Sequence, residues 1–283
     1  MCFPIFWIRK VVVKSKVPNG HSVSSGNWVV LEEDSGKVFL VEMVDEMTKI
    51  KGLGVFNPTE IIGDSQIGEE IVIGQKILTR VSPRLPELYK GMKRRAQTIS
   101  AKDAGVLITR LGIGPGDIIL EAGLGSGGLS LHLARVLGNS GTLVTIEARD
   151  EHAEVGLQNL SRAKQCLPEF PNHHHISGDI SEVISNIEDL VGNVDGIILD
   201  LPNHEPAINA AVGLLKTGGR IACYCPVTSQ VERAWETCES NNLEVEWAGE
   251  LMERQWGKAS KGGMRPVNGP FGHTAFLLIA YKN

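Results

Sequence analysis

The chain has 283 residues and carries 28 Lys and Arg against 33 Asp and Glu, a formal net charge of −5 at pH 7. Hydrophobic residues make up 42% and charged residues 22%, which excludes a collagen-like, low-complexity or wholly disordered chain. The length is enough for a large core and predicts two units.

An acidic balance argues at first sight against nucleic-acid binding, which rewards basic surfaces. The charge is uneven, however. Residues 1–20, 76–95 and 254–283 together hold 16 basic residues and 1 acidic one, and the remaining 213 hold 12 and 32. Five cysteines (Cys2, Cys166, Cys223, Cys225 and Cys238) cannot all pair within one chain and form no C-x-x-C. They predict a reduced compartment. The apolar segment Phe3 to Ile8 is too short to span a bilayer, and its charges follow the apolar run, the reverse of a signal peptide. The expectation is a cytoplasmic protein without a membrane partner.

In chain order, residues 1–90 read as a β-rich domain and linker. Short apolar runs at Asn27–Leu31, Lys37–Val41, Glu70–Ile73 and Lys76–Val81 are separated by turn signals at Asp34-Ser35-Gly36, Asn57-Pro58 and Gly74. Val81 to Leu88, with Pro83 and Pro86, reads as the linker. Residues 91–283 alternate helix and strand. The spacing predicts a helix over 102–111, a strand over 118–120, a helix over 129–137, a strand over 142–146 and a helix over 150–164. A weak strand at His175-Ile176, a helix over 181–190 and a strong strand over 196–199 follow. Next come a helix over 206–215, a strand over 220–225, a helix over 229–241, and strands over 243–249 and 273–281. Regular βα alternation predicts a parallel sheet with helices on both faces. The last two strands have no helix between them, which predicts an antiparallel edge strand. Cys223 and Cys225 should face one side of their strand.

The most informative stretch is Ile118-Ile119-Leu120-Glu121-Ala122-Gly123-Leu124-Gly125-Ser126-Gly127-Gly128. An apolar strand runs into a glycine-rich turn that opens a helix, a geometry that holds a ligand beyond the strand's carboxyl end. Gly123, Gly125 and Gly128 fit the G-x-G-x-x-G of a dinucleotide site. Glu121 fits S-adenosyl-L-methionine better, because an anion there opposes a pyrophosphate but welcomes an ammonium group. Glu147 ends the second strand, where an acid can accept hydrogen bonds from ribose hydroxyls of either cofactor. Asp179, after the third strand, is placed to receive an adenine amino group. The run His173, His174 and His175 reads as surface loop, with no ligand partner at metal spacing, so no metal is expected.

Together with the glycine loop, three further stretches carry a resemblance. Lys93-Arg94-Arg95-Ala96-Gln97-Thr98-Ile99-Ser100-Ala101-Lys102-Asp103 precedes the domain. Ile198-Leu199-Asp200-Leu201-Pro202 ends the fourth strand, and Arg265-Pro266 followed by His273-Thr274-Ala275-Phe276-Leu277 closes the chain. The set resembles the class I S-adenosylmethionine-dependent tRNA (adenine-N1)-methyltransferases that modify T-loop adenine 58, and is most like their archaeal single-gene form. The resemblance implies a Rossmann-like α/β catalytic domain with a small β-rich N-terminal domain, assembled as a homotetramer. It implies that Gln97, Thr98 and Ile99 line the cofactor from the linker side. Ala122, Gly123, Leu124, Gly125, Ser126, Gly127, Gly128 and Leu129 would surround its methionine portion. Glu147 would hold the ribose, Asp179 and Ile180 the adenine, and Asp200 would face both cofactor and target base as the catalytic residue.

Arg94, Arg95 and Arg265 are phosphate-contact candidates given the basic windows, and His273 a pocket-shaping one. The chain departs from the family at Ser100-Ala101, where Tyr-Pro is common; serine is too small to stack on a base. Two other readings stay open: a class I methyltransferase acting on a small molecule or protein carboxylate, and a non-catalytic tRNA-binding subunit. A dehydrogenase is weakened by Glu121. If the basic windows converge on the pocket mouth, an acidic protein can still hold a phosphate backbone.

Overall fold

The computed structural model describes residues 28–260, 262–267 and 272–283. The first basic window and Cys2 lie outside the described residues. β1 (Trp28–Glu32) and β2 (Val38–Glu42) pair as an antiparallel hairpin. β3 (Thr48–Ile50) and β4 (Gly54–Phe56) form a separate small hairpin that the sequence pattern did not indicate. The turn expected at Asn57-Pro58 is the start of a short helix, α1 (Pro58–Ile62). The Thr59 and Glu60 N–H groups donate to Asn57 Oδ1, and Pro58 sits in the first turn, where a missing N–H costs nothing. β5 (Glu70–Ile73) and β6 (Lys76–Val81) complete a four-stranded sheet of order β2-β1-β6-β5. In β5, Ile71 and Ile73 point inward and Glu70 and Val72 outward, as a half-buried strand requires.

The expected linker is mostly helix: α2 (Leu85–Gly91) begins within it, with Pro86 again in the first turn. Leu88 of α2 packs with Met92, Leu124 and Leu131, so this helix joins the small sheet to the larger α/β unit.

That unit begins with α3 (Ala101–Leu111), β7 (Ile118–Ala122), α4 (Gly128–Leu137), β8 (Thr142–Glu147) and α5 (Asp150–Cys166). After them stand β9 (Asn172–Ser177), α6 (Ile184–Val191), β10 (Val194–Leu199), α7 (Glu205–Ala211), β11 (Leu215–Cys225), α8 (Thr228–Ser240) and β12 (Leu243–Gly249). β13 (Trp256–Lys258) and β14 (Met264–Pro266) form a hairpin, and β15 (Phe276–Lys282) closes the chain. The seven-stranded sheet has the order β12-β15-β11-β10-β7-β8-β9. β7 to β11 run parallel, and β15 is antiparallel to both β11 and β12. The antiparallel strand therefore lies one place in from the edge, with β12 outside it.

Two apolar cores cover the faces of this sheet. Alternation divides β11 between them: Cys223 and Cys225 enter one core, Ala222 and Tyr224 the other. The four described cysteines are buried free thiols. The weak strand expected at His175-Ile176 is longer: the whole histidine run lies in edge strand β9, paired in parallel with β8 and half-buried. Thr145 Oγ1 on β8 hydrogen-bonds both His173 Nε2 (2.9 Å) and His175 Nδ1 (3.1 Å), so side-chain hydrogen bonding draws these polar residues against the sheet. No helix among the described residues is long and apolar enough to cross a membrane.

Candidate active site

The chain leaves β7 toward β8 on one side of the sheet, while β10 lies on the other. This is the switch point of a doubly wound sheet, where the crevice outside the strand ends receives a ligand. Register puts four residues side by side there. Ala122 pairs with both Ile146 and Leu199, and Leu199 pairs with Cys223. The next residues along these strands are Gly123, Glu147, Asp200 and Tyr224.

The glycine loop is held by backbone bonds. Gly123 and Leu124 donate to Ile146 O, and Asp200 N–H donates to Ala122 O (2.9 Å). Gly123 has φ +97°, and a Cβ there would sit 2.2 Å from Asp200 O, so no other residue fits this close approach. Gly128 is constrained by side-chain packing alone: a Cβ would fall 2.7 Å from Thr98 Cβ.

The residues 93–99 form a strap across the loop. Arg95 and Ala96 N–H donate to Ser126 Oγ (both 3.0 Å). Buried Asn159 of α5 accepts from Lys93 N–H (3.0 Å) and donates to Lys93 O (2.8 Å) and Ser126 O (2.9 Å). Tyr89 Oη bonds Thr98 Oγ1 (3.1 Å) and Ile99 O (2.9 Å). Ser126 and Asn159 are thus positioning residues whose role is visible only in three dimensions. Ser100 lies at the strap's end as the N-cap of α3, its hydroxyl donating to Asp103 Oδ2 (2.8 Å).

Glu121 is 2% exposed and is hydrogen-bonded by Ser130 Oγ, which donates to Oε2 (2.6 Å). Burial pushes its pKa up to about 8, opposed by the Ser130 hydrogen bond and helped, by less, by the nearby Asp200 carboxylate. Asp200 is likewise raised to about 7 by burial and by Glu147, with Arg149 opposing. Glu147 behaves differently. Burial would raise it, but hydrogen bonds from the Arg149 side chain and from the Gly125 and Arg149 N–H groups hold it below the usual carboxylate range. Gly125 N–H donates to Oε2 (2.9 Å), and Arg149 N–H (3.1 Å) and Nε (3.0 Å) donate to Oε1.

Beyond the loop opens a cavity of about 370 Å³. The strap residues Gln97, Thr98 and Ile99 form one wall, and Gly123, Gly125 and Arg149 another. Tyr224, Gln230 and Thr274 lie on the far side. A narrow crevice under the loop reaches Glu121, Ser126, Gly128 and Leu129. Asp200 lines both spaces. Tyr224 is the aromatic side chain on the cavity wall, a residue that sequence pattern alone did not single out.

Some expected residues stand elsewhere. Ile180 is buried in the core under the sheet end, while Asp179 is exposed and accepts from Ser181 N–H (2.9 Å) and Oγ (2.6 Å) in a local turn. His273 bridges Glu250 Oε2 (2.8 Å) and Pro226 O (2.9 Å), behind the cavity wall that Pro226 and Thr274 form. Arg265 sits on β14, exposed and away from the cavity lining. Of the basic windows, Arg94 and Arg95 lie exposed on the strap beside the cavity. Lys282 instead donates to Val212 O and Leu215 O, and Lys76 pairs with Glu33.

This environment suits a cationic ligand. Glycines 123 and 125 leave room for close approach, a buried carboxylate lacks a cationic partner, and Arg149, the cation on the cavity wall, is already paired with Glu147. Doubly wound sheet, glycine cradle and buried acids define a class, the S-adenosylmethionine-dependent methyltransferases.

Comparisons with known proteins agree. The model of the family described as tRNA methyltransferase complex GCD14 subunit matches residues 80–261. The tRNA (adenine(57)-N(1)/adenine(58)-N(1))-methyltransferase TrmI of Methanocaldococcus jannaschii is 32% identical over 219 residues, covering 71% of this chain and 77% of its own. The tRNA (adenine(58)-N(1))-methyltransferase TrmI of Thermus thermophilus is 31% identical, covering 76% and 78%. Among solved structures, a SAM-dependent O-methyltransferase from Thermotoga maritima superposes with TM-score 0.72 at 28% identity, covering 92% of this chain and 94% of its own. The tRNA (m1A58) methyltransferase TrmI of Aquifex aeolicus gives 0.68 at 22% identity, covering 93% and 99%, a likeness of fold. This chain belongs to the tRNA methyltransferase complex GCD14 subunit family.

Proposed function

We propose that the protein transfers a methyl group from S-adenosyl-L-methionine to N1 of the T-loop adenine at position 58 of tRNA. The name of the archaeal relative carries both positions 57 and 58, and mass spectrometry of the methylated tRNA reads whether adenine 57 is a second target. The observation that carries this reading is the placement of Asp200. Its carboxylate lines both the crevice under the glycine loop and the cavity beyond it.

Bound against the glycine loop in that cavity, the cofactor supplies an already activated methyl group, so the protein mainly orients the reactants. Gln97, Thr98 and Ile99 close the crevice from the strap, and Glu121 faces the cofactor's ammonium group. Glu147 holds the ribose after Arg149 turns away from Oε1, and Ile180 with Asp179 flanks the adenine end. The target adenine leaves the T-loop stack, at a cost of a few kcal/mol, and enters the side of the cavity lined by Pro202, Tyr224 and Thr274. Asp200 accepts a hydrogen bond from its exocyclic N6. This turns N1 toward the methyl group and stabilises the positive charge that develops on the ring. Ser100 is committed to capping α3, so Tyr224 and Pro202 supply the wall against which the base rests. Arg94 and Arg95 meet the flanking phosphates, with Arg265 on β14 in reach of a more distant part of the tRNA, and His273 fixes the cavity wall.

The reading includes a cytoplasmic homotetramer. Exposed Met252, Trp256, Met264 and Val267 around the β13–β14 hairpin give each subunit apolar surface to cover. The test is transfer of radiolabelled methyl into unmodified tRNA. Incorporation supports the proposal. Label in a small metabolite or a protein carboxylate, with none in tRNA, favours the other methyltransferase reading. Failure to bind S-adenosyl-L-methionine in calorimetry favours a non-catalytic subunit.

A further inference from the structure

A second, larger concavity lies between the small sheet and the helices of the methyltransferase part, with a volume of about 980 Å³. Six cations line it: Lys37, Lys49 and Lys51 from the β1–β4 region, Lys90 and Lys93 around the end of α2, and Arg162 from α5. Glu42 and Glu46 are the acids that face them. The five lysines are exposed. Lys37, Lys49 and Lys51 have no ion-pair partner among the described residues, and Lys90 has only a long contact to Glu32 (3.5 Å). In a protein of net charge −5, this local excess of positive charge is not the surface average.

The groove is physically joined to the active site. Residues 90–93 line the groove and residues 96–99 line the catalytic cavity, with exposed Arg94 and Arg95 between them. Three residues of extended chain span at most roughly 10 Å. Asn159 and Ser126 clamp both ends of this short strap, so the two concavities keep a fixed relation. Arg162 Cζ lies over the Trp28 ring, 4.7 Å from its centroid, and both residues line the groove.

We propose that this groove holds the phosphate backbone of the tRNA while the target adenine occupies the catalytic cavity, with Lys37, Lys49 and Lys51 as its main contacts. This rests on the reading of tRNA as substrate. A polyanion suits it better than a compact anion because the six cations are distributed over both small hairpins, the end of α2 and α5 around a groove of about 980 Å³. Spread cations give affinity and register without reading sequence, which an enzyme acting on many tRNAs needs.

The test uses the full chain and unmodified tRNA. Binding is measured against salt, alongside cofactor affinity and methylation kinetics, for the wild type and for Lys37→Ala/Lys49→Ala/Lys51→Ala. A Lys49→Ala/Lys51→Ala variant, which leaves the Lys37 contact over Phe39 in place, guards against a folding defect. The expected result is at least a tenfold loss of tRNA affinity in the triple variant, with the slope of log K against log salt reduced by about 2–3. The double variant should fall between, and cofactor affinity and kcat at saturating tRNA should hold. Unchanged affinity and salt slope with normal tRNA methylation would overturn the groove alone. A wild type that neither binds nor methylates tRNA would overturn the substrate reading, and the groove with it.

Discussion

Glu121→Gln isolates the buried carboxylate beneath the glycine loop. Burial holds Glu121 at about 8, so roughly a tenth of the free protein carries this charge at pH 7. A cationic ligand selects the ionised form. Binding should then release up to about 0.9 proton from this group at pH 7, and affinity should rise by close to tenfold per pH unit until about pH 8. Glutamine keeps the shape and can still accept the Ser130 hydrogen bond, but it has no charge to offer. At pH 8 the variant should bind S-adenosyl-L-methionine roughly 10- to 100-fold more weakly, the worth of one charge-assisted contact.

The assay is calorimetry across pH 6–9 in paired buffers of different ionisation enthalpy. Asp200→Asn is run in parallel, because Asp200 near 7 contributes its own protons. The same shift sets the sign for stability. The folded-state pKa lies above the unfolded value of 4.5, so the cofactor-free protein loses stability as pH rises from 4.5 to about 8, and Glu121→Gln should flatten that fall. Wild-type binding with no proton release, or a variant that binds as tightly at pH 8, would refute the reasoning.

Asp200→Ala should lower kcat by about 100-fold or more at saturating cofactor; near-normal turnover would remove its catalytic role. For the wild type, kcat/KM should rise with pH through about 7 as Asp200 ionises, and a flat acid limb would count against it. Asn159→Ala breaks three bonds between α5, the strap and the loop. It should cost roughly 2–3 kcal/mol, read by chemical denaturation, and an unchanged midpoint would mean the strap is held elsewhere. Ser100→Ala should cost about 1 kcal/mol as a lost helix cap with kcat intact, whereas a collapse of kcat would give Ser100 a direct role toward substrate.

Much of the fold is legible in the sequence because its elements are buried on predictable faces. The βα alternation, the glycine loop after β7 and the alternating faces of β11 follow from period and turn chemistry. Prolines misled where they begin helices, since Pro58 and Pro86 read as breaks but occupy first turns. The antiparallel strand β15 was expected at the edge. Its place inside β12 depends on which hydrogen-bonding edge is free, which local pattern does not encode. His173 and His174 looked like loop, and only His175-Ile176 like strand, because β9 is held by its pairing with β8, where Thr145 bonds partners 28 to 30 residues away.

In the site, Glu121, the glycines and Asp200 were readable because strand ends at a switch point collect function. Arg149 on Glu147, Tyr224 on the cavity wall and the Ser126–Asn159 clamp were not. Each depends on register between strands or on contact between distant segments. The acidic net charge pointed away from RNA, and only the folded arrangement gathers Lys37, Lys49 and Lys51 beside Lys90 and Lys93.

The central claim is methylation of adenine N1 in the tRNA T-loop. Mass spectrometry of nuclease fragments, after unmodified tRNA is incubated with the protein and S-adenosyl-L-methionine, tests it most directly. The account predicts 1-methyladenosine in the T-loop fragment at position 58, with or without 57, and far less of it in the same time with Asp200→Ala. A T-loop left unmethylated, or a methyl group found on another atom or nucleoside, would contradict it.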